Sequence, residues 1–66
     1  MKIVVNGSAH ELEAADVAAA LEELGHDPGA AVATALNGDF LPREDRAAAR
    51  LAEGDRLEVI TPRQGG

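Results

Sequence analysis

The apolar and polar positions of this 66-residue chain change period several times, and each change marks an element. Lys2-Ile3-Val4-Val5-Asn6 is β-branched through its middle and predicts a strand. Asn6-Gly7 follows, and both central positions of a type I′ turn take positive φ, so the pair predicts a hairpin. Residues 8–14 return as a second strand, with Ala9, Glu11 and Glu13 alternating with His10 and Leu12. Val17, Leu21 and Leu24 then recur at i, i+4 and i+7, one apolar helical stripe with Glu22 and Glu23 turned outward. Asp16 precedes the stripe as an N-cap whose charge suits the positive helix end, and Gly25 follows it as a C-cap.

His26-Asp27-Pro28-Gly29 reads as a loop. The alanine content of Ala31-Val32-Ala33-Thr34-Ala35-Leu36 would suit a helix. Asn37-Gly38 closes the segment as a second turn signal, however, and Asp39-Phe40-Leu41 returns, so two short strands are expected. Pro42 ends the second of them, and residues 43–51 form a helical or 3₁₀ turn with alternating charges. Glu53-Gly54-Asp55 turns the chain into a last strand, Arg56-Leu57-Glu58-Val59-Ile60-Thr61. The order is ββ, α, ββ, short helix, β. A single helix after a hairpin packs across one face of the sheet, and the last strand then sits beside the first at its centre. The expected fold is therefore α+β, the ubiquitin-like β-grasp, with a mixed sheet of about five strands against one main helix and a short helical turn. Residues 1–61 make one domain and 62–66 a C-terminal tail.

Composition limits what such a domain can do. Of its 30 hydrophobic residues 14 are alanine, so a small set of Ile, Val, Leu, Phe and Met fills the interior. A domain of this size has little core to spare for an enclosed substrate pocket and more readily offers a surface or a tail. The net charge of −6 is uneven: residues 1–40 hold seven acids against Lys2 alone, while 41–66 hold five acids and five arginines. Nucleic acid or an anionic membrane would need a basic footprint, so neither is an expected partner. The absence of cysteine removes disulfides, thiolate metal sites and thiol nucleophiles together and fits a reducing interior. No apolar run is long enough to span a membrane and no leader opens the chain, so the cytoplasm is the expected compartment.

The last residues, Pro62-Arg63-Gln64-Gly65-Gly66, belong to no predicted element. Two successive glycines at a chain end arise by chance about once in 200 chains of average composition. A frayed end is one reading of the pair. The other is that the α-carboxylate of Gly66 is itself the reactive group, carried on a segment without side chains that threads a narrow channel. Gly65 and Gly66 then permit backbone angles and close wall approach that a Cβ forbids. Pro62 stiffens the exit from the last strand. Arg63 is available to an acidic partner surface or to solvent, and Gln64 carries no signal.

Other candidate chemistry is sparse. His10 and His26 are separated by a helix, and neither has a cysteine or a recognisable ligand spacing around it, so no metal site is expected. Adjacent Glu22 and Glu23 diverge on a helix and do not converge on one substrate. Ser8 and Thr34 lack a base nearby in sequence, and no phosphate-binding glycine loop precedes a helix. The chain is not expected to be an enzyme or to hold a cofactor. Phe40, the one aromatic residue, is expected in the core; the alternative is an exposed anchor that forms a docking patch with Leu41.

Four segments together resemble the sulfur carrier proteins of thiamine biosynthesis, the ThiS family. They are Val4-Val5-Asn6-Gly7, Leu36-Asn37-Gly38 followed by Phe40-Leu41-Pro42-Arg43-Glu44, Gly54-Asp55-Arg56-Leu57-Glu58, and Gly65-Gly66. The resemblance covers the whole chain. It implies that a ubiquitin-activating-like adenylyltransferase converts the Gly66 carboxylate to an acyl adenylate with ATP bound by that enzyme. Sulfur from a cysteine persulfide, supplied through a cysteine desulfurase, then yields a thiocarboxylate, which thiazole synthase consumes. The free carrier would be a monomer. The sequence departs from the family pattern where an aromatic residue, typically Trp, commonly follows the P-R-E segment; Arg46 and Ala47 stand there. Pro62-Arg63-Gln64 is also less apolar than is usual before the glycines. A molybdopterin-synthase small-subunit-like carrier, a ubiquitin-like modifier joined through Gly66 to a lysine, and a plain binding module stay open as alternatives.

Overall fold

A computed structural model describes residues 1–27 and 29–62. The strands are β1 (Lys2–Val5), β2 (Ser8–Glu11), β3 (Ala33–Leu36), β4 (Asp39–Leu41) and β5 (Arg56–Ile60), and the helix α1 spans Val17–Glu23. A 3₁₀ segment, Arg43–Ala48, lies between β4 and β5. The five strands form one sheet in the order β2-β1-β5-β3-β4. β1 and β5 run parallel at its centre and the other neighbours are antiparallel. This is the expected β-grasp, with the last strand beside the first.

Alternation along the central strands builds the core. Ile3 and Val5 of β1 and Leu57 and Val59 of β5 face inward, where Val17, Ala20 and Leu21 of α1 cover them. Ile3, Val17 and Leu57 are completely buried, and each such side chain contributes about 1.5–3 kcal/mol. The short helix is fixed at both ends. Asp16 Oδ1 accepts from the amide of Ala19 at 2.8 Å, the expected N-cap. At the other end Gly25 has φ of 97°, while Gly25 N and His26 N donate to the carbonyls of Glu22 and Leu21. That bond pair is a Schellman closure, and it needs the left-handed conformation that glycine allows.

The second strand is shorter than residues 8–14. It stops at Glu11, opposite Lys2, and after Leu12 N donates to Met1 O the Glu23 carboxylate accepts the next main-chain amides, those of Glu13 and Ala14, at 3.0 Å. Glu23 is thus a fastener between helix and hairpin, where the sequence pattern read only a solvated face. The third strand begins at Ala33, and β5 ends at Ile60, one residue before the expected limit. The loop at residues 26–29 includes Pro28, which lies outside the described residues.

Candidate functional site

The route to the proposed reactive end begins in β5. Its buried residues alternate with Arg56, Glu58 and Ile60, which lie on the sheet face opposite the helix. After Ile60 the chain leaves the sheet, and Thr61 and Pro62 are both exposed. Arg63, Gln64, Gly65 and Gly66 lie outside the described residues.

Phe40 is on that outer face and not in the core, as the sequence reading preferred. It pairs with Ala35, which in turn pairs with Glu58, and residues opposite one another across a sheet share a face. Phe40 is 72% exposed as a result. Leu41, one residue on, points the other way and packs half-buried against the core. The two residues expected to share a patch therefore sit on opposite faces of β4. The large apolar residue that does share the outer face with Phe40 is Ile60, 66% exposed, opposite Ala33. Only alanines of β3 occupy the outer face between them. The signal for Ile60 was in the sequence, since strict alternation from Leu57 and Val59 puts residue 60 on the polar side.

The remaining candidates assemble no reactive cluster. The Thr34 hydroxyl is buried and donates to the carbonyl of Leu41 at 2.8 Å, so it is already engaged. Ser8 is exposed at the start of β2. Among the described residues no three His, Cys, Asp or Glu side chains gather as metal ligands. A cleft of about 240 Å³ lies between α1 and the 3₁₀ segment, with Leu21, Val32 and Ala47 beside Glu22, Glu44 and Arg46. Its charges are mixed, and His26 and Asp27 also stand in its lining. A second depression, about 290 Å³, lies against the Asn6-Gly7 and Asn37-Gly38 turns. No helix among the described residues is long and apolar enough to cross a membrane.

Fold and surface together define a β-grasp module whose exposed features are Phe40 and Ile60 on an otherwise mixed outer sheet face and the end of its central strand. The sequence pattern of the ThiS family matches residues 3–66, and the chain belongs to that family. It is similar to a crystal structure of the thiamine biosynthesis protein (ThiS) from Geobacter metallireducens, with 30% identity over 100% of both chains and a TM-score of 0.81. A solution structure of a thiamine biosynthesis protein from the same organism gives a TM-score of 0.80 at 30% identity, over 100% of this chain and 88% of the other. No curated protein matches the chain.

Proposed function

We propose that this protein is a cytoplasmic sulfur carrier for thiazole formation and that Gly66 is its working residue. A carboxylate carbon repels nucleophiles and does not expel oxide, so the group must first be activated. A ubiquitin-activating-like adenylyltransferase joins the Gly66 carboxylate to AMP and releases pyrophosphate from ATP. A persulfide charged by a cysteine desulfurase then attacks the acyl carbon and expels AMP. A second thiol cleaves the resulting acyl persulfide, becoming oxidised to a disulfide as the thiocarboxylate leaves. Thiazole synthase takes the sulfur. Residues 1–61 serve as the handle, and Pro62, Arg63, Gln64 and Gly65 thread the partner's channel. Phe40, with Ile60 beside the tail's exit, is the surface on which the activating enzyme docks, whereas Leu41 supports that strand from the core side.

The observation that carries this reading is that the family match extends through Gly66. The test is intact mass after incubation with the activating enzyme, ATP and a persulfide donor. One oxygen of the chain should be replaced by one sulfur, and thiazole synthase should discharge it. Removal of Gly66 should abolish loading without altering the circular dichroism of the fold. A truncated chain that still supports thiazole formation would refute the assignment, and isopeptide adducts on other proteins would make the chain a modifier instead.

A further inference from the structure

Val59 is the residue at which β5 loses its neighbour on one side. The main-chain bonds between β1 and β5 run from Val4 N to Asp55 O at 2.9 Å and from Asn6 N to Leu57 O at 3.0 Å. The chain then turns away at Asn6-Gly7. The Asn6 carboxamide continues the ladder where the backbone cannot. Its Nδ2 donates to Val59 O at 3.1 Å, and Val59 N donates to its Oδ1 at 2.9 Å. One side chain supplies the donor and acceptor that another strand residue would have supplied, and it does so for a buried position whose polar groups are costly to leave unpaired.

A second asparagine does similar work at the other end of the same strand. Asn37 Oδ1 accepts from Arg56 N at 2.9 Å, and Asn37 N donates to Arg56 O at 2.8 Å. Both asparagines hold left-handed backbone, with φ of 50° and 52°, ahead of a glycine. They differ in place. Arg56 is the first residue of β5, whereas Val59 stands next to the last, three residues before Pro62.

We infer that Asn6 is a positioning residue for delivery of the C-terminal carboxyl: its carboxamide holds the outgoing end of β5 in the sheet and so sets the direction in which the tail leaves. The inference rests on the sulfur-carrier reading. Without the carboxamide, Val59 keeps its place only through the β3 side and the core, and the strand end must be ordered anew each time a partner binds. That ordering is a cost of association. It acts equally on ground state and transition state once the tail is seated, so it raises KM and leaves kcat unchanged.

The experiment compares Asn6→Gly with Asn37→Gly. Glycine accepts the left-handed backbone at either position, so each variant removes a clamp without adding strain. Carrier-dependent pyrophosphate release by the activating enzyme is measured over a range of carrier concentrations, with urea unfolding of each variant alongside. Asn6→Gly should raise KM about two- to tenfold at unchanged kcat, and Asn37→Gly should leave KM at the wild-type value. An Asn6→Gly protein with wild-type KM overturns the inference, as does an equal rise in both variants, which would report general loosening. Should Asn6→Gly unfold at the assay temperature, Asn6→Asp takes its place. It keeps the acceptor for Val59 N and sets an anion against Val59 O, and wild-type KM for it would again be fatal. A wild-type chain that the activating enzyme does not turn over rejects the sulfur-carrier reading itself, and is distinct from either result.

Discussion

The guanidinium of Arg46 donates from Nε to the hydroxyl of Thr34 across 3.0 Å, inside the fold. Arg46 is 6% exposed and Thr34 2%. The same guanidinium donates from Nη2 to the carbonyl of Val32 at 2.6 Å, and the Thr34 hydroxyl passes the chain of bonds on to Leu41 O. Among the described residues no carboxylate forms an ion pair with Arg46. The charge is held by neutral oxygens, and its long stem fills the space between the 3₁₀ segment and β3.

Packing and polar satisfaction can be separated at this position. Arg46→Ala removes both, opening a cavity and stranding the Val32 carbonyl, and should cost about 2–4 kcal/mol. Arg46→Met retains the stem volume and removes the charge from the interior, so it should cost about 1–2 kcal/mol. Urea midpoints at constant m-value measure the difference. Equal losses in the two variants would mean that the hydrogen bonds, and not the filled volume, hold the segment in place.

Glu23 makes a second prediction. Its carboxylate accepts two main-chain amides that β2 leaves unpaired. Glu23→Ala should destabilise the fold by about 1.5–3 kcal/mol, the range for hydrogen bonds to a charged group. Neighbouring Glu22→Ala should stay within about 0.5 kcal/mol, as an exposed position without such a role does. Amide exchange at Ala14 should quicken in Glu23→Ala alone. Protection that survives the substitution would mean that Glu23 does not hold these amides.

These two residues also mark where the sequence stopped being informative. The hairpin, the helix with Asp16 and Gly25 at its ends and the 3₁₀ turn rest on local patterns a few residues long and were legible for that reason, whereas the strand order followed from the element order and the way one helix packs across a sheet. Glu23 capping Glu13 and Asn6 clamping Val59 join residues far apart in the chain, and periodicity does not encode which polar side chain closes a given gap. Arg46 was hidden by its charge, since alternating charges predict a solvated turn and give no hint of a buried guanidinium. Phe40 failed for a different reason. A strand of three residues, Asp39-Phe40-Leu41, offers two possible faces, and only the pairing of Phe40 with Ala35 decides between them. Of the candidate site, the tail residues 63–66 were legible only as composition and family resemblance.

The amino group of Met1 predicts a pH dependence of stability. Its ammonium is 3.0 Å from a Glu11 carboxylate oxygen and donates to Leu12 O at 2.8 Å. The hydrogen bond with Glu11 is the main cause that raises its pKa above 8.0, against opposing desolvation, with further help from the charges of Glu11, Glu53 and Glu13. A raised folded-state pKa means that the folded protein binds the proton more tightly than the unfolded chain. The stabilisation is therefore complete below pH 8.0 and is lost as pH climbs through the folded-state value. Thermal midpoints should decline on that alkaline limb for the chain that starts at Met1, and Glu11→Gln should flatten the decline. A chain extended before Met1 lacks the ammonium and should not show it. An identical limb in the extended chain would assign the dependence to another group.

Phe40 tests the docking surface without disturbing the fold. An aromatic ring exposed on a sheet face contributes little to stability, so Phe40→Ser should shift the urea midpoint by less than about 0.5 kcal/mol. The same ring on a partner surface is the type of residue that carries binding energy, and its loss should raise the KM of the activating enzyme for the carrier about tenfold. Ile60 supplies the internal check, because it shares the outer face and stands beside the exit of the tail. If one enzyme surface covers both residues, Ile60→Ser should also raise KM, and the double variant should fall short of the product of the two effects. Leu41→Ala should behave in the opposite way, lowering stability through the core while a folded fraction keeps its KM. A Phe40→Ser protein that loads with wild-type kinetics would leave the outer face of the sheet without a role in activation, and the tail alone would have to account for recognition.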